Sequence, residues 1–162
     1  MKKIFYILSI CLFKFNIAYS LIEVDITRGN LDPLPIAVSP LHVDIKSDNY
    51  QDIKIKELGD LISSVVEKNF RSTGLFNPLN KDAFVQKPDI AHLKPRFEDW
   101  SLITAQALVT GKLLIKDEKL KVEFRLWDVA ANKEMIALAF TTTPSNWRRV
   151  AHIISDKIYE RL

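Results

Sequence analysis

The chain has 162 residues, which is enough for one domain with a substantial hydrophobic core. Its net charge of +3 comes from the first twenty residues, which contain three lysines and no acidic residue, and the rest of the chain carries 20 basic and 20 acidic side chains. This balance gives no electrostatic reason to expect a nucleic-acid or membrane-surface partner.

Residues 1–20 have the layout of a secretory signal peptide. A basic start precedes an apolar run from Ile4, and the segment ends with the small-x-small pattern Ala18-Tyr19-Ser20. The run is too short to span a bilayer, and no second apolar stretch follows it. We therefore expect export, cleavage after Ser20 and no membrane insertion of the cleaved chain. The alternative is an uncleaved N-terminal anchor.

The only cysteine, Cys11, lies inside this apolar run. The cleaved chain would contain none, which excludes disulfides, cysteine-ligated zinc and a thiol nucleophile. Lipidation of Cys11 is an alternative, but such a site normally has a small residue before the cysteine and polar sequence after it. Ile10 and Leu12 do not fit that pattern.

The segment after Ser20 predicts an extended arm. Leu21 to Thr27 alternates apolar and charged side chains as a strand does, and Arg28-Gly29-Asn30 has the composition of a turn. A short strand is predicted at residues 36–38, ended by Pro40. The predicted organisation is a signal peptide (1–20), an N-terminal arm (21–33) and one folded domain (34–162).

From residue 52 to 72 the apolar residues recur at intervals of three and four, which predicts an amphipathic helix. Gly74 follows at the position where a left-handed cap ends a helix. Gly59 lies inside the helix, where glycine costs about 1 kcal/mol relative to alanine. A close approach of helix and sheet would explain it, although we favour simple tolerance. The apolar stripe comprises Leu58, Leu61, Ile62, Val65, Val66 and Phe70.

Residues 76–96 are the least regular part, because Pro78, Pro88 and Pro95 divide them. We expect a loop with one helical turn or a short strand at residues 82–85, and a short helical turn starting at Phe97.

Three strands follow in close order, and they predict an antiparallel meander. Apolar side chains alternate with polar ones in residues 107–116 and 120–126, and a short polar connection at residues 117–119 predicts a hairpin. A second turn at residues 131–133 leads into a third strand, residues 134–142.

The last predicted element is a helix from about Asn146, with Ser145 as its N-cap. Its expected buried stripe is Trp147, Val150, Ala151, Ile154, Ile158 and Leu162. The predicted fold class is α+β, with a mixed, mostly antiparallel sheet of about five strands and two helices packed on one face.

No catalytic, cofactor or metal motif is present in the sequence. His42, His92 and His152 are far apart and have no second ligand at metal-like spacing, so we expect surface or cap histidines. The four glycines never cluster, which excludes a phosphate-binding loop. The chain is therefore predicted not to be an enzyme and to need no cofactor or metal.

Trp127 is the one large aromatic residue that the alternation assigns to a polar sheet face. Lys121, Glu123 and Arg125 share that face. A covered interdomain or partner surface would explain the indole. A bulge near Asp128 that turns Trp127 inward is an equal alternative.

These residues together resemble the TolB N-terminal domain family of the Tol-Pal system of Gram-negative bacteria. The resemblance runs through the chain and is carried by motifs in family order. They are Ile26-Thr27-Arg28-Gly29, Pro33-Leu34-Pro35-Ile36-Ala37, Ser72-Thr73-Gly74-Leu75-Phe76-Asn77-Pro78, Leu126-Trp127-Asp128, Asn146-Trp147-Arg148-Arg149-Val150-Ala151-His152 and Ile158-Tyr159-Glu160-Arg161.

The resemblance implies a periplasmic scaffold without catalysis, which acts in outer-membrane integrity and in constriction during cell division. It also implies that the arm binds the periplasmic C-terminal domain of TolA, since an extended arm can add to a partner's sheet. The arm positions carried over are Leu21, Ile22, Glu23, Val24, Asp25, Ile26, Thr27, Arg28, Gly29, Asn30, Leu31 and Asp32.

In this family a second partner, the lipoprotein Pal, docks mainly on a C-terminal β-propeller. The sequence stops at Leu162, before any such domain. We therefore expect a truncated or split form, with Pal binding only where another chain supplies the propeller. The alternative function is a stand-alone periplasmic regulator of a cell-wall enzyme.

Overall fold

Residues 32–45 and 57–162 are described by the structure, which is a computed structural model. Within these ranges the chain forms six strands and four α-helices, with short 3₁₀ turns at Lys81–Ala83 and Pro144–Asn146. In chain order they are β1 (Leu34–Val38), β2 (His42–Ile45), α1 (Leu58–Thr73), β3 (Phe76–Pro78), α2 (Pro88–Ala91), α3 (Phe97–Leu102), β4 (Ala107–Lys116), β5 (Lys119–Asp128), β6 (Lys133–Thr142) and α4 (Trp147–Tyr159).

The strands form one mixed sheet in the order β3-β1-β4-β5-β6, and β2 also pairs with β4. Strand β1 runs parallel to both β3 and β4, and β2 runs parallel to β4. Strands β4, β5 and β6 form the predicted antiparallel meander, which contains most of the paired residues. The predicted α+β class with a mixed, mostly antiparallel sheet is confirmed.

Strands β1 and β2 lie one after the other along the same side of β4. Between them Pro40 has no N–H to give to a ladder, and the chain leaves the sheet at this point. The Ser39 N–H donates to the Val109 carbonyl at 3.0 Å before the excursion, and the Leu41 N–H donates to the Gly59 carbonyl at 3.4 Å within it. Leu41 is thereby held in the core, between the sheet and α1.

The two long helices, α1 and α4, pack on one face of the sheet as predicted. Their apolar faces cover alternate residues of β4 and β5. Polar contacts also join the helices, because Asn69 Nδ2 donates to Ser155 Oγ at 2.8 Å. Leu61, which the periodicity assigned to the stripe, is instead 40% exposed. The large or apolar side chains buried on these helices are Leu58, Ile62, Val66, Phe70, Val150, Ala151, Ile154 and Ile158.

A second, smaller apolar cluster lies on the opposite face of the sheet, under α2, α3 and the segment around them. Trp100 is its largest member and is 1% exposed. The short helix predicted at Phe97 is confirmed, whereas β2, β3 and α2 were not predicted. The cluster comprises Ala37, Ala91, Trp100, Ala105, Leu108 and Val129.

The start of α4 differs from the prediction. Ser145 was expected to cap it, but Asn146 is the N-cap and makes no side-chain cap bond. The Ser145 hydroxyl instead shares a 3.0 Å hydrogen bond with the Thr143 hydroxyl, because Pro144 starts a 3₁₀ turn that leads into the helix. Leu162, also expected in the buried stripe, is 38% exposed.

Gly59 marks a close approach of helix and backbone, so the preference for simple tolerance was wrong. A Cβ atom built on Gly59 would collide with the carbonyl oxygen of Leu41. Gly74 has a φ of 69° in the predicted left-handed cap, with open space where its Cβ would lie.

Replacing Gly59 with alanine is therefore expected to lower the free energy of unfolding by roughly 1–3 kcal/mol, the usual cost of overpacking. The helix propensity gained, about 1 kcal/mol, opposes this loss without removing the collision. Urea unfolding measures it, with Lys68→Ala as the control at an exposed position of the same helix. An unchanged or raised stability of Gly59→Ala would show that α1 shifts freely from Leu41.

Among the described residues, no helix is both long and apolar enough to cross a membrane.

Candidate interaction surface

The predicted arm meets the folded domain at the N-terminal end of β1. Residues 21–31 lie outside the described residues. Asp32 and Pro33, which follow them, are exposed. Immediately afterwards the Leu34 N–H donates to the Leu75 carbonyl at 2.9 Å. Because β1 lies between β3 and β4, the end of the arm is tied to an interior strand of the sheet.

Three exposed apolar side chains lie on segments next to this end of the sheet. Strands β1, β3 and β4 are parallel, so their first residues lie at one end of the sheet, where the Gln106 N–H donates to the Pro35 carbonyl at 2.9 Å. Leu75 precedes β3 and is 41% exposed, and Leu102 ends α3 and is 82% exposed. The ring of Tyr159 lies 6.4 Å from that of Phe76 and is half exposed. Leu102 and Tyr159 belong to helices on opposite faces of the sheet, so the three residues are separate exposed apolar positions at this end.

Trp127 lies on the sheet face opposite α1 and α4. Its Nε1 donates to the Thr110 hydroxyl at 2.9 Å, and its ring meets the edge of Phe97 at 5.8 Å. The side chain is partly buried by these contacts. Residues of this chain thus cover part of the indole and leave part of it accessible.

A bulge does occur next to Trp127, but it does not turn the indole into the main core. Leu126 pairs with Ile136 and Trp127 pairs with Glu134, which leaves Met135 as the extra residue on β6. Trp127 keeps the face that the alternation assigned to it. Its role as a partner surface stays a prediction.

The second apolar cluster, against which Trp127 packs, covers part of this face, and charged side chains beside it form ion pairs. Glu123 lies 2.7 Å from Lys121 and 3.4 Å from Lys112, and Arg125 lies 2.9 Å from Glu134. The hydrogen bond from Lys121 is the main cause that lowers the pKa of Glu123. Charges that neutralise one another across neighbouring strands give this surface no preference for a strongly charged partner.

Two of the histidines stack on one another, which the sequence did not indicate. The rings of His42 and His92 are 4.6 Å apart and nearly parallel. His92 is the C-cap of α2, in agreement with the expected cap position. Its ring is buried, and its Nδ1 lies 2.9 Å from the Pro88 carbonyl. His152 instead accepts from Asn69 on the exposed side of the helices. Within the described ranges no three potential metal ligands come together.

The two arginines at the start of α4 are exposed. The guanidinium of Arg148 lies 4.6 Å above the ring of Trp147. This cation–π contact offsets part of the unfavourable interaction between a cation and the positive end of the helix dipole.

Comparison with known proteins places these features in one family. The family model described as the TolB amino-terminal domain matches residues 22–135. The Tol-Pal system protein TolB of Pelagibacter ubique (strain HTCC1062) is 71% identical over 147 residues, which are 90% of this chain and 33% of that protein. The chain therefore spans about a third of the length of this curated relative.

Solved structures agree on the fold. TolB from Acinetobacter baumannii superposes with a TM-score of 0.60 at 20% identity, covering 80% of this chain and 28% of that one. The C-terminal domain of LpoB from Salmonella enterica superposes with a TM-score of 0.50 at 7% identity, covering 71% of this chain and 86% of that one. At these identities the likeness concerns the fold alone. The family model and the highly identical relative show more: the chain belongs to the TolB amino-terminal domain family.

Proposed function

We propose that this chain is a non-catalytic interaction module of the Tol-Pal envelope system, acting in the periplasm in outer-membrane integrity and in constriction during division. Family membership and a 71% identical relative named as a Tol-Pal system protein support the proposal. The single structural observation that supports it is the exposure of apolar side chains at the end of the sheet where the arm attaches, at Leu75, Leu102 and Tyr159. Exposed apolar side chains of this kind suit protein contact.

Within that function, residues 21–32 form the arm that engages the C-terminal periplasmic domain of TolA. Ile22, Val24 and Ile26 alternate with Leu21, Glu23 and Asp25, so a paired strand would present one apolar row and one mainly acidic row. Such a strand can add to an exposed sheet edge through main-chain hydrogen bonds, while its side chains supply specificity. The exposed Asp32 and Pro33 support an arm that begins at the surface.

Calorimetry against the TolA domain tests this proposal. The exported protein is compared with a version that begins at Leu34, which retains every strand residue of β1. We expect the shortened version to bind at least about tenfold more weakly, which corresponds to 1.4 kcal/mol of lost interaction. Its urea midpoint should match that of the longer protein, which controls for damage to the fold.

Val24→Asp in the full arm is a finer test, because it places a charge in the apolar row and removes no backbone group. Val85→Asp is its matched control, since it makes the same change at a 67% exposed position outside the arm. Equal affinities for the long and short proteins would mean that the arm is not the binding site. Lack of binding by either protein would favour the alternative of a stand-alone regulator of a cell-wall enzyme.

We also propose the accessible part of Trp127 as a surface for another domain or partner. The indole is fixed by Thr110 and Phe97, so it presents a rigid apolar edge at little cost in entropy. Direct contact with Pal is not part of this proposal, because the resemblance assigns Pal to a propeller domain and not to the residues proposed here.

A further inference from the structure

The outer edge of β6 has the properties of a strand that pairs with another chain. Among the described residues β6 pairs with β5 alone, although it is ten residues long. Backbone N–H and C=O groups of alternate residues therefore face outward along this edge. Such an edge is a template for strand addition.

The usual protections of an edge are present only at the beginning of β6. Lys133 and Glu134 are charged, and the bulge at Met135 distorts the ladder there. The stretch from Ile136 to Thr142 contains no charged residue, no proline and no glycine. Natural sheets avoid unwanted pairing with such devices, and their absence over seven residues leaves this part of the edge available for pairing.

The side chains of residues 136–142 could pack against those of the same stretch in an antiparallel second copy. Ile136, Leu138 and Phe140 pair with β5 residues of the main core, so they lie on the helix side of the sheet. Ala137 and Ala139 lie on the other side. The larger apolar residues thus flank Leu138 symmetrically on one face, and the two alanines flank it on the other.

We propose that a second copy of this chain pairs with β6 in antiparallel fashion, across a two-fold axis beside Leu138. Leu138 then lies opposite Leu138 of the second copy, Ile136 lies opposite Phe140, and Ala137 lies opposite Ala139. Each pair joins two apolar side chains and stays on its own face of a sheet that continues through both copies.

A second copy fits this edge better than an unrelated strand does. Residues 136–142 carry no charge that could select a foreign partner, and self-pairing brings no like charges together. Leu138 is 38% exposed in the single chain, and Ile136 and Phe140 are only partly buried. Pairing would cover all three on the helix side.

This inference goes beyond the proposed arm contact and is independent of it. Strands β4 and β5 separate β1, where the arm begins, from β6. Removal of the arm should therefore leave self-association unchanged, and loss of self-association should leave TolA binding unchanged.

Sedimentation equilibrium of the exported protein is the first test. The interface is small, so we expect a concentration-dependent dimer with a Kd that is roughly micromolar or weaker. Leu138→Lys places two ammonium groups opposite each other at the axis and should abolish the dimer. Ala131→Lys, in the exposed turn before β6, is the matched control and should dimerise like the parent protein.

Disulfide cross-linking is the second test and does not depend on a destabilising change. In a Cys11→Ser background, Leu138→Cys gives a single cysteine that lies opposite its own copy, at a spacing close to that of a disulfide. We expect covalent dimers under mild oxidation at more than tenfold the yield of Ala131→Cys. A parent protein that is monomeric at all concentrations, a Leu138→Lys protein that still dimerises, or equal cross-linking of the two cysteine variants would overturn the proposal.

Discussion

Replacing Trp100 with alanine is expected to lower the free energy of unfolding by about 3–5 kcal/mol, the usual cost of deleting a large buried aromatic side chain. Trp100 is 1% exposed, and its ring meets that of Phe84 at 5.0 Å. Its Nε1 donates to Gln86 Oε1 at 2.8 Å, and the same oxygen accepts from the Arg96 backbone at 2.8 Å. The substitution therefore removes the centre of the second apolar cluster and a buried hydrogen bond together.

Two further variants test how much of this loss of stability comes from packing and how much from the hydrogen bond. Trp100→Phe keeps most of the packing but loses the indole hydrogen bond, so its cost should be distinctly smaller than that of Trp100→Ala. Leu102→Ala is the control in the same helix, because Leu102 is 82% exposed and should change stability by less than about 0.5 kcal/mol. Denaturant unfolding measures all three. A loss below about 1 kcal/mol for Trp100→Ala would show that the segment over this sheet face unfolds separately from the main core.

Ile154→Ala is expected to cost about 2–5 kcal/mol, because Ile154 anchors α4 on the sheet. It is 1% exposed and belongs to the cluster shared by α1, α4 and the sheet. Trp147→Ala should cost less than its size suggests, because the ring is only partly buried at the start of the helix and one face carries Arg148.

The matched control for this pair is Arg149→Ala, an exposed position in the same helix. It should change stability by no more than about 0.5 kcal/mol. If Ile154→Ala fell in that range as well, α4 would be peripheral to the cooperative unit. Thermal melts followed by circular dichroism give an independent check on the denaturant values.

Local periodicity was sufficient to predict the elements whose partners are near in sequence. The alternation in residues 107–142 predicted three strands joined by short turns, because each strand of a meander pairs with its neighbour along the chain. The helical stripe ending at Gly74 predicted α1 for the same reason. In each of these segments the spacing of apolar residues is itself enough to indicate a strand or a helix.

Elements that depend on distant partners could not be predicted in the same way. Strand β3 has three residues and ends at Pro78, so it exists only because β1 lies beside it. The position of β1 between β3 and β4 depends on contacts with residues 107–109, about seventy positions away. Gly59 shows the same limit, since only the folded structure reveals the Leu41 carbonyl against it.

Some residues of the candidate surface could be identified from the sequence, and others only from the folded structure. The arm and Trp127 were identified in the sequence, the arm by resemblance and Trp127 by a large aromatic residue at a polar position. Leu75 and Leu102 were not, because apolar residues near helix and strand ends read as core until their exposure is known. The stacking of His42 on His92 joins residues fifty positions apart.

The interior position of β1 also determines how the domain responds to tension. A partner that pulls the arm along the strand axis loads the hydrogen bonds of β1 to β3 and β4 together. Extraction of β1 would also expose Ile36 and Val38 from the main core. Tension on the arm would therefore be opposed by both neighbouring strands and by core packing, and not by a single row of hydrogen bonds at a sheet edge.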